Sequence, residues 1–417
     1  MRQLSLSSDF FSRNRTALAE KIGSDSLALI QAAPHAIRNS DNLHQWRQDS
    51  TFFYYTGIDV PDCSLVLAPS SDGKNSELLF IPMVDPEKEK WGGKMLTKEE
   101  ATQISGIKAV HTNDSLRQAL FRVQKWRETL YCDLDEFYPD LSLTPQHLLL
   151  SDLRQRLPGL QQKKLSFFSS PMRIRKHPEE IELIKESLGI IGTALETVMT
   201  KLRPGLMEYQ IEAELTFQYL YNGCERHGFD PIVAGGKNAT ALHYIKNTDQ
   251  LKDGDLVLID TGGEYRMYSG DITRVFPVNG RFSDRQKQCY QAVLDVNKAF
   301  IGEIKPGSSW NQLHELASQI TGEIYAKQGF IDNPNNHLTV SYHKIGHFLG
   351  LDIHDVGRPD EIIGPGTVIT VEPGLYLSEE GIGIRIEDNV LVTETGCDVL
   401  SKEIPKEIEE IETLMNK

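Results

Sequence analysis

GDLVLIDTGGEYRMYSGDITRVFPV, residues 254–278, decides how the second half of the chain is read. Its apolar run LVLI closes on Asp260, and a carboxylate ending such a strand is costly unless it is paired or metal-bound. Gly262-Gly263 permits a reversal, so Asp271 is expected on an adjacent antiparallel strand with both carboxylates facing one point. Three more potential ligands follow: His347 in HKIGHFLG, Glu372 in TVEPG and Glu387 in RIEDN. Four carboxylates balance two divalent cations, which bridging ligands hold roughly 3.5–4 Å apart, and one imidazole among oxygens favours ions such as manganese. Zinc, cobalt or iron could occupy the same ligands. Taken singly, each residue has a plainer reading: Asp271 could cap a turn, Glu387 could pair with Arg385, and His347 could be a satisfied core histidine.

Around this stretch, helical patterns EYQIEAELTFQYLYNG, SDRQKQCYQAVLDVNKAF and SSWNQLHELASQITGEIYAK are separated by strand-like runs LVLID, DITRVFPV, TVITVEP and IGIRIEDNVLV. Strict βαβ alternation is missing, so an α+β domain is expected. It opens with a helix near His177: Pro178 suits a first turn, Glu179 and Glu180 the positive helix end, Lys201 and Arg203 the other, and Pro204-Gly205 stops it. Before it, apolar runs SLALIQAA, SLVLAP, ELLFIP and TLYCDL alternate with SLRQALFRVQKW and PQHLLLSDLRQRL, as in an α/β layer domain. The expected division is 1–172 and 173–417, with the joint in SSPMRIRK, residues 169–176.

A chain of 417 residues exceeds what one core usually organises, which also favours two domains. The formal net charge of −15 repels phosphate backbones and argues against a nucleic-acid partner. No apolar run is long enough to cross a bilayer, and MRQLSLSSDFFSRNR lacks the apolar core of a secretory signal. The five cysteines (Cys63, Cys132, Cys224, Cys289, Cys397) are scattered without a CxxC pair, as expected of reduced thiols. Cytoplasmic residence is the resulting expectation.

Five stretches, in order, carry a family likeness: IVAGGKNATALHY (232–244), GDLVLIDTGGEYRMYSGDITRVFPVNGRFSDRQ (254–286), GHFLGLDIHDVG (346–357), VITVEPGLY (368–376) and GIGIRIEDNVLVTETG (381–396). They resemble the pita-bread (creatinase/aminopeptidase-like) metallopeptidases, on the aminopeptidase P and prolidase branch. IRNSDNLHQWRQDSTFFYYTGID (37–59) extends the likeness to the aminopeptidase P first domain. The resemblance implies that Asp260, Asp271, His347, Glu372 and Glu387 hold a dinuclear centre. It further implies a hydroxide held between the metals as nucleophile, Glu372 as proton shuttle, and His243 and His354 flanking the scissile peptide, His354 at the oxyanion. His343, Tyr376 and Arg385 match substrate-contacting positions. His343 could instead orient a ligand, and Arg385 could be a strand-surface ion pair. The implied substrates are peptides with proline in second position. The imide nitrogen has no hydrogen to donate, so a pocket selects the ring by shape, and an aromatic wall such as Tyr376 suits it.

The same resemblance implies a homodimer or homotetramer, with Asp41 and Trp91 as rim contributors or plain exposed positions. In one departure, Lys344 stands where the family commonly has glycine after the first histidine of its HxxxH segment, which bears on substrate access. LYLSEEGIGIR is also short where aminopeptidases P often carry a longer loop. The rival readings are a prolidase restricted to dipeptides and a non-catalytic pita-bread binding protein. All five ligand types are present, which weighs against the second.

Overall fold

The computed structural model describes residues 5–134 and 144–416. The chain divides into two compact units, Ser5–Met172 and Arg173–Lys417. In the first, strands β1 (Ser26–Gln31), β4 (Ser64–Ala68), β5 (Ser76–Ile81), β6 (Ala109–Thr112), β7 (Thr129–Cys132) and β8 (Gln161–Lys164) form one sheet in the order β6-β5-β4-β1-β7-β8. A small hairpin, β2 (Ile37–Asn39) with β3 (Asn42–Leu43), stands apart from it. Pairing is antiparallel at β1/β4 and β4/β5 and parallel at β5/β6, β1/β7 and β7/β8. Leu27, Val66, Phe80 and Leu130 of the sheet meet Leu120 and Leu153 of the covering helices in one core. The apolar runs of the sequence became strands because both faces of these central strands are covered. Asp41 is exposed, and Trp91, 93% exposed, lies on a short helix, Pro86–Gly92.

The second unit opens with helix Pro178–Lys201, whose Glu180 carboxylate accepts from the His177 backbone N–H at 2.8 Å. Glu180 is buried and also accepts from the Tyr268 hydroxyl at 2.8 Å, and burial pushes its carboxyl up to about 7. After helix Glu208–Asn222 come β9 (Arg226–His227), β10 (Ile232–Gly235), β11 (Leu256–Thr261), β12 (Gly263–Tyr265), β13 (Tyr268–Ser269) and β14 (Ile272–Pro277). Helices Asp284–Glu303 and Trp310–Lys327 precede β15 (Val368–Val371), β16 (Gly374–Leu377), β17 (Ile382–Arg385), β18 (Asp388–Val392) and β19 (Cys397–Val399). The small sheets run β10-β11-β14, β13-β12-β9, β15-β18-β19 and β16-β17. Phe300, Trp310, Phe348, Ile369, Val371 and Val390 share a core that holds the helices against them. This is the α+β mixture expected after an α/β domain.

Two local expectations change. The reversal between Asp260 and Asp271 is made at Arg266 and Met267, both with positive φ, between β12 and β13. Gly262 serves close approach instead: a Cβ there would stand 2.5 Å from the Gly270 carbonyl oxygen. IGIRIEDNVLV is two strands in different sheets, broken at Ile386 and Glu387. The break follows from backbone pairing, since Ile386 N–H donates to Pro373 and Glu387 N–H to Thr273. Among the described residues no helix is long and apolar enough to cross a membrane.

Candidate metal centre

The ligand types converge because Asp271, Glu372 and Glu387 stand where a strand begins, ends or breaks, Asp260 lies one residue before the end of β11, and His347 lies in a loop that pairs with β15 through its neighbour Phe348. Antiparallel pairing of β11 with β14 sets Asp260 opposite Thr273, and Asp271 immediately precedes β14. Asn389 fixes the Asp271 backbone, donating to its carbonyl at 2.6 Å and accepting from its N–H at 3.1 Å. Glu372 follows β15, and Glu387 lies at the break between β17 and β18. Asp271, His347 and Glu387 each offer a ligand atom within 4.8 Å of the others. Glu372 approaches the same point, its Oε1 3.5 Å from His347 Nε2. Asp260 stands next to them with Oδ2 held by Arg385 Nη2 at 2.5 Å.

His347 is oriented as a ligand would be. Its Nδ1 lies 3.0 Å from the Phe348 carbonyl oxygen, which makes Nδ1 the donor and aims Nε2 toward Asp271 at 3.4 Å and Glu372. Thr370 anchors both neighbours: its hydroxyl accepts from His347 N–H at 2.9 Å and donates to Glu372 Oε1 at 3.2 Å. Gly346 allows this approach, because a Cβ there would stand 2.1 Å from the Thr370 carbonyl oxygen.

The electrostatics are those of crowded, buried acids. Burial, with Asp260 and Glu372 adding repulsion against the opposing pull of His347, raises the Asp271 carboxyl to about 7. Burial and then Asp271 push Glu387 well above its ordinary range, and burial raises Asp260 against the pull of Arg385. Burial works against a charged His347, yet the hydrogen bond and charge of Asp271 raise it to about 9. Three buried carboxylate oxygens, Asp260 Oδ1, Asp271 Oδ1 and Glu387 Oε1, have no hydrogen-bond partner among the described residues. Each such group costs about 1–3 kcal/mol or more if left unsatisfied. An oxygen-rich donor set with one imidazole and three unspent oxygens fits divalent cations.

A cavity of about 580 Å³ opens over this floor, walled by Phe229, Leu242, Ile245 and Ile353 and reached by His243 and His354. The His354 ring packs on His347 with centroids 4.2 Å apart, and partial burial followed by His347 holds its pKa below the ordinary value. Arg385 is buried rather than on a strand surface, donating to Asp260, to Tyr376 Oη at 3.0 Å and to Thr273 Oγ1 at 3.1 Å. Tyr376 Oη in turn lies 2.8 Å from His343 Nε2, while His343 Nδ1 lies 2.8 Å from the Lys344 carbonyl oxygen. That pattern makes Nδ1 the donor and leaves Nε2 to accept from the tyrosine. The short segment after Tyr376 is a hairpin between β16 and β17.

Some positioning groups escaped the sequence reading. Thr273 donates to Glu387 Oε2 at 2.8 Å while accepting from Arg385, so one hydroxyl registers the Glu387 carboxylate against the guanidinium. The loop carrying His354 is clamped by its neighbours: Asp355 accepts from Arg173 at 2.6 Å and Lys176 at 2.8 Å, and Asp352 from Arg173 at 2.6 Å. The signal was two acids flanking the histidine in LDIHD and the three cations of MRIRK, of which Arg173 and Lys176 are the partners.

The second unit matches the model "Metallopeptidase family M24" over residues 182–394, and the first matches "Aminopeptidase P, N-terminal domain" over residues 11–131. The Xaa-Pro aminopeptidase of Escherichia coli K12 is 35% identical over 97% of both chains. A solved structure described as a putative aminopeptidase P from Bacillus anthracis superposes with a TM-score of 0.95 at 38% identity, covering 99% of each chain. E. coli aminopeptidase P with the inhibitor Pro-Leu superposes with a TM-score of 0.91 at 34% identity, again covering 99% of each.

Proposed function

Since the chain belongs to metallopeptidase family M24, on its aminopeptidase P branch, we propose that its cavity hydrolyses the N-terminal Xaa-Pro bond of peptides with two divalent ions. The observation that carries this reading is the set of three unpartnered, buried carboxylate oxygens beside His347, Glu372 and Arg385. Asp260, Asp271, His347, Glu372 and Glu387 are the proposed ligands, and manganese is the proposed ion. When bound, such ions supply Lewis-acid activation of water and of the scissile carbonyl.

The chain's own groups do the rest. Glu372, tethered through Thr370 and half-buried, takes the proton of the attacking water and returns it to the leaving imide nitrogen. His354, held below the usual histidine range and so neutral near pH 7, donates a hydrogen bond to the developing oxyanion. His243 lines the same cavity. His343 and Arg385 line the cavity as the wall for the proline ring, and Tyr376, buried behind them rather than lining the cavity itself, ties the two together through its hydroxyl. The substrate's free ammonium pairs with the acidic floor, so an acetylated terminus is not accepted. Aminopeptidase P is preferred to prolidase because the first unit matches the aminopeptidase P N-terminal model and the relatives are Xaa-Pro aminopeptidases.

Cytoplasmic residence and assembly as a dimer or tetramer complete the proposal. The test compares an Xaa-Pro dipeptide, a tripeptide, a longer Xaa-Pro peptide, its N-acetylated form and its Xaa-Ala counterpart under one metal loading, with products identified by mass. Turnover of the dipeptide alone would move the chain to prolidase chemistry, and equal cleavage of the alanine peptide would remove the proline requirement. Sedimentation over a concentration series decides the assembly.

A further inference from the structure

A second cavity, of about 350 Å³, lies between helix Trp310–Lys327 and the 3₁₀ segment Pro334–Thr339. It shares His343 and Lys344 with the catalytic cavity and reaches Pro373, the neighbour of Glu372. Ala317, Leu338 and Ile345 give it an apolar side, and Thr321, Ser341 and His314 a polar one. The two cavities thus adjoin at His343 and Lys344, and the second is within the size range of small-ligand sites.

Lys344 is the group at the junction that nothing else explains. Its side chain is exposed, and among the described residues none accepts from its Nζ. Glu315 also lines the second cavity, and among the described residues it forms no ion pair with Lys344. His314 Nε2 is buried without a partner, and burial, then Lys344, holds that imidazole down to about 4, so it is neutral near pH 7. The compartment thus offers one free ammonium and one uncharged ring whose Nε2 has hydrogen-bonding capacity to spare.

Resting on the Xaa-Pro reading above, we propose that this second cavity is the downstream subsite of the substrate groove, where Lys344 receives a carboxylate carried by the peptide beyond its proline. A lysine ammonium is a compact charge on a flexible stem, suited to a carboxylate whose position varies with the residue that bears it. The carboxylate has two sources, the C-terminus of a tripeptide or an acidic side chain at the third residue.

The experiment measures KM and kcat for metal-loaded protein and its Lys344→Gln and Lys344→Arg variants on four substrates: Xaa-Pro-Ala acid, Xaa-Pro-Ala amide, Xaa-Pro-Glu amide and Xaa-Pro-Gln amide. For the unaltered protein a charged member should have a KM lower than its neutral counterpart by about tenfold, the worth of one partly exposed charge-assisted contact. Acid over amide identifies the C-terminus as the source, and glutamate over glutamine the side chain. The preference should collapse in Lys344→Gln and persist in Lys344→Arg. Equal KM values across both pairs, or a preference that survives Lys344→Gln, would overturn the subsite while leaving Xaa-Pro hydrolysis intact. Absence of any Xaa-Pro cleavage would overturn the function and the subsite with it.

Discussion

Asp355→Asn perturbs the clamp behind His354 without touching the cavity floor. The Asp355 and Lys176 side chains are each 1% exposed and Arg173 is 3% exposed, so removing the charge strands two buried cations. Breaking a buried pair in this way costs about 3–5 kcal/mol. Arg173 keeps Asp352, so the lower end applies, and about 3 kcal/mol in a unit of this size lowers Tm by roughly 6–12 °C. The pH dependence has a fixed sign. Burial opposes ionisation of Asp355, but Lys176 and Arg173 outweigh it and hold the folded pKa below the ordinary value. Its contribution is therefore full above the unfolded pKa of about 4 and is lost as pH falls through the depressed folded value. Calorimetry of both proteins should show a Tm gap that is constant from neutrality to about pH 4 and narrows below it. Replacing the cage with Arg173→Met, Lys176→Met and Asp355→Leu together should recover most of the stability. Because Asp355 is the neighbour of His354, the asparagine variant should also lose turnover with metal content intact. A Tm within about 2 °C of the parent at pH 7 and a pH-independent gap would refute the clamp.

Elemental analysis after loading should find two divalent ions per chain. Loading at pH 7 should release protons and weaken as pH falls, because His347 is raised to about 9 and Asp271 to about 7, which calorimetry in buffers of different ionisation enthalpy measures. His347→Ala should lose metal affinity and activity together, whereas near-zero stoichiometry in the parent would sink the dinuclear proposal. His354→Ala should lower kcat by about 10²–10³ while both metals stay, and near-normal turnover would remove it from the oxyanion role. Gly346→Ala forces a Cβ to within 2.1 Å of the Thr370 carbonyl, so His347 must shift, and weaker metal binding in a still-folded chain, read by circular dichroism and metal titration, is the expected result.

How much of this could be read from residues alone depends on the range of the interaction. Asp260 and Asp271 were legible because charge at the mouth of an apolar strand is anomalous over a few residues. His347, Glu372 and Glu387 needed the family likeness, since a lone histidine or glutamate near a strand has many ordinary explanations. Partners were hidden by separation: Arg385 meets Asp260 across 125 residues, and Lys176 meets Asp355 across 179. Thr273 and Thr370 were hidden by type, because a β-branched residue in or beside a strand is expected for backbone reasons alone. The misplaced reversal has a similar cause. A glycine pair suggests a turn, but here those glycines admit neighbouring backbone and side chains while Arg266 and Met267 turn the chain.

The arrangement explains why the site is assembled from short sheets. A carboxylate inside a long, regular ladder would alternate with its neighbours across the sheet and could not share a focus with acids from other strands. Ending β11, β15 and β17 at the same place, and starting β14 and β18 there, puts the four carboxylates at or beside strand ends, where the backbone is freer to aim them. Burial, and then crowding, raises the pKa of Asp260, Asp271 and Glu387, and Arg385 with His347 places positive charge beside them. The three carboxylate oxygens left without partners are the remainder of that balance. A scaffold selected only for stability would have capped them with donors, so their persistence in a buried position is an argument for cations.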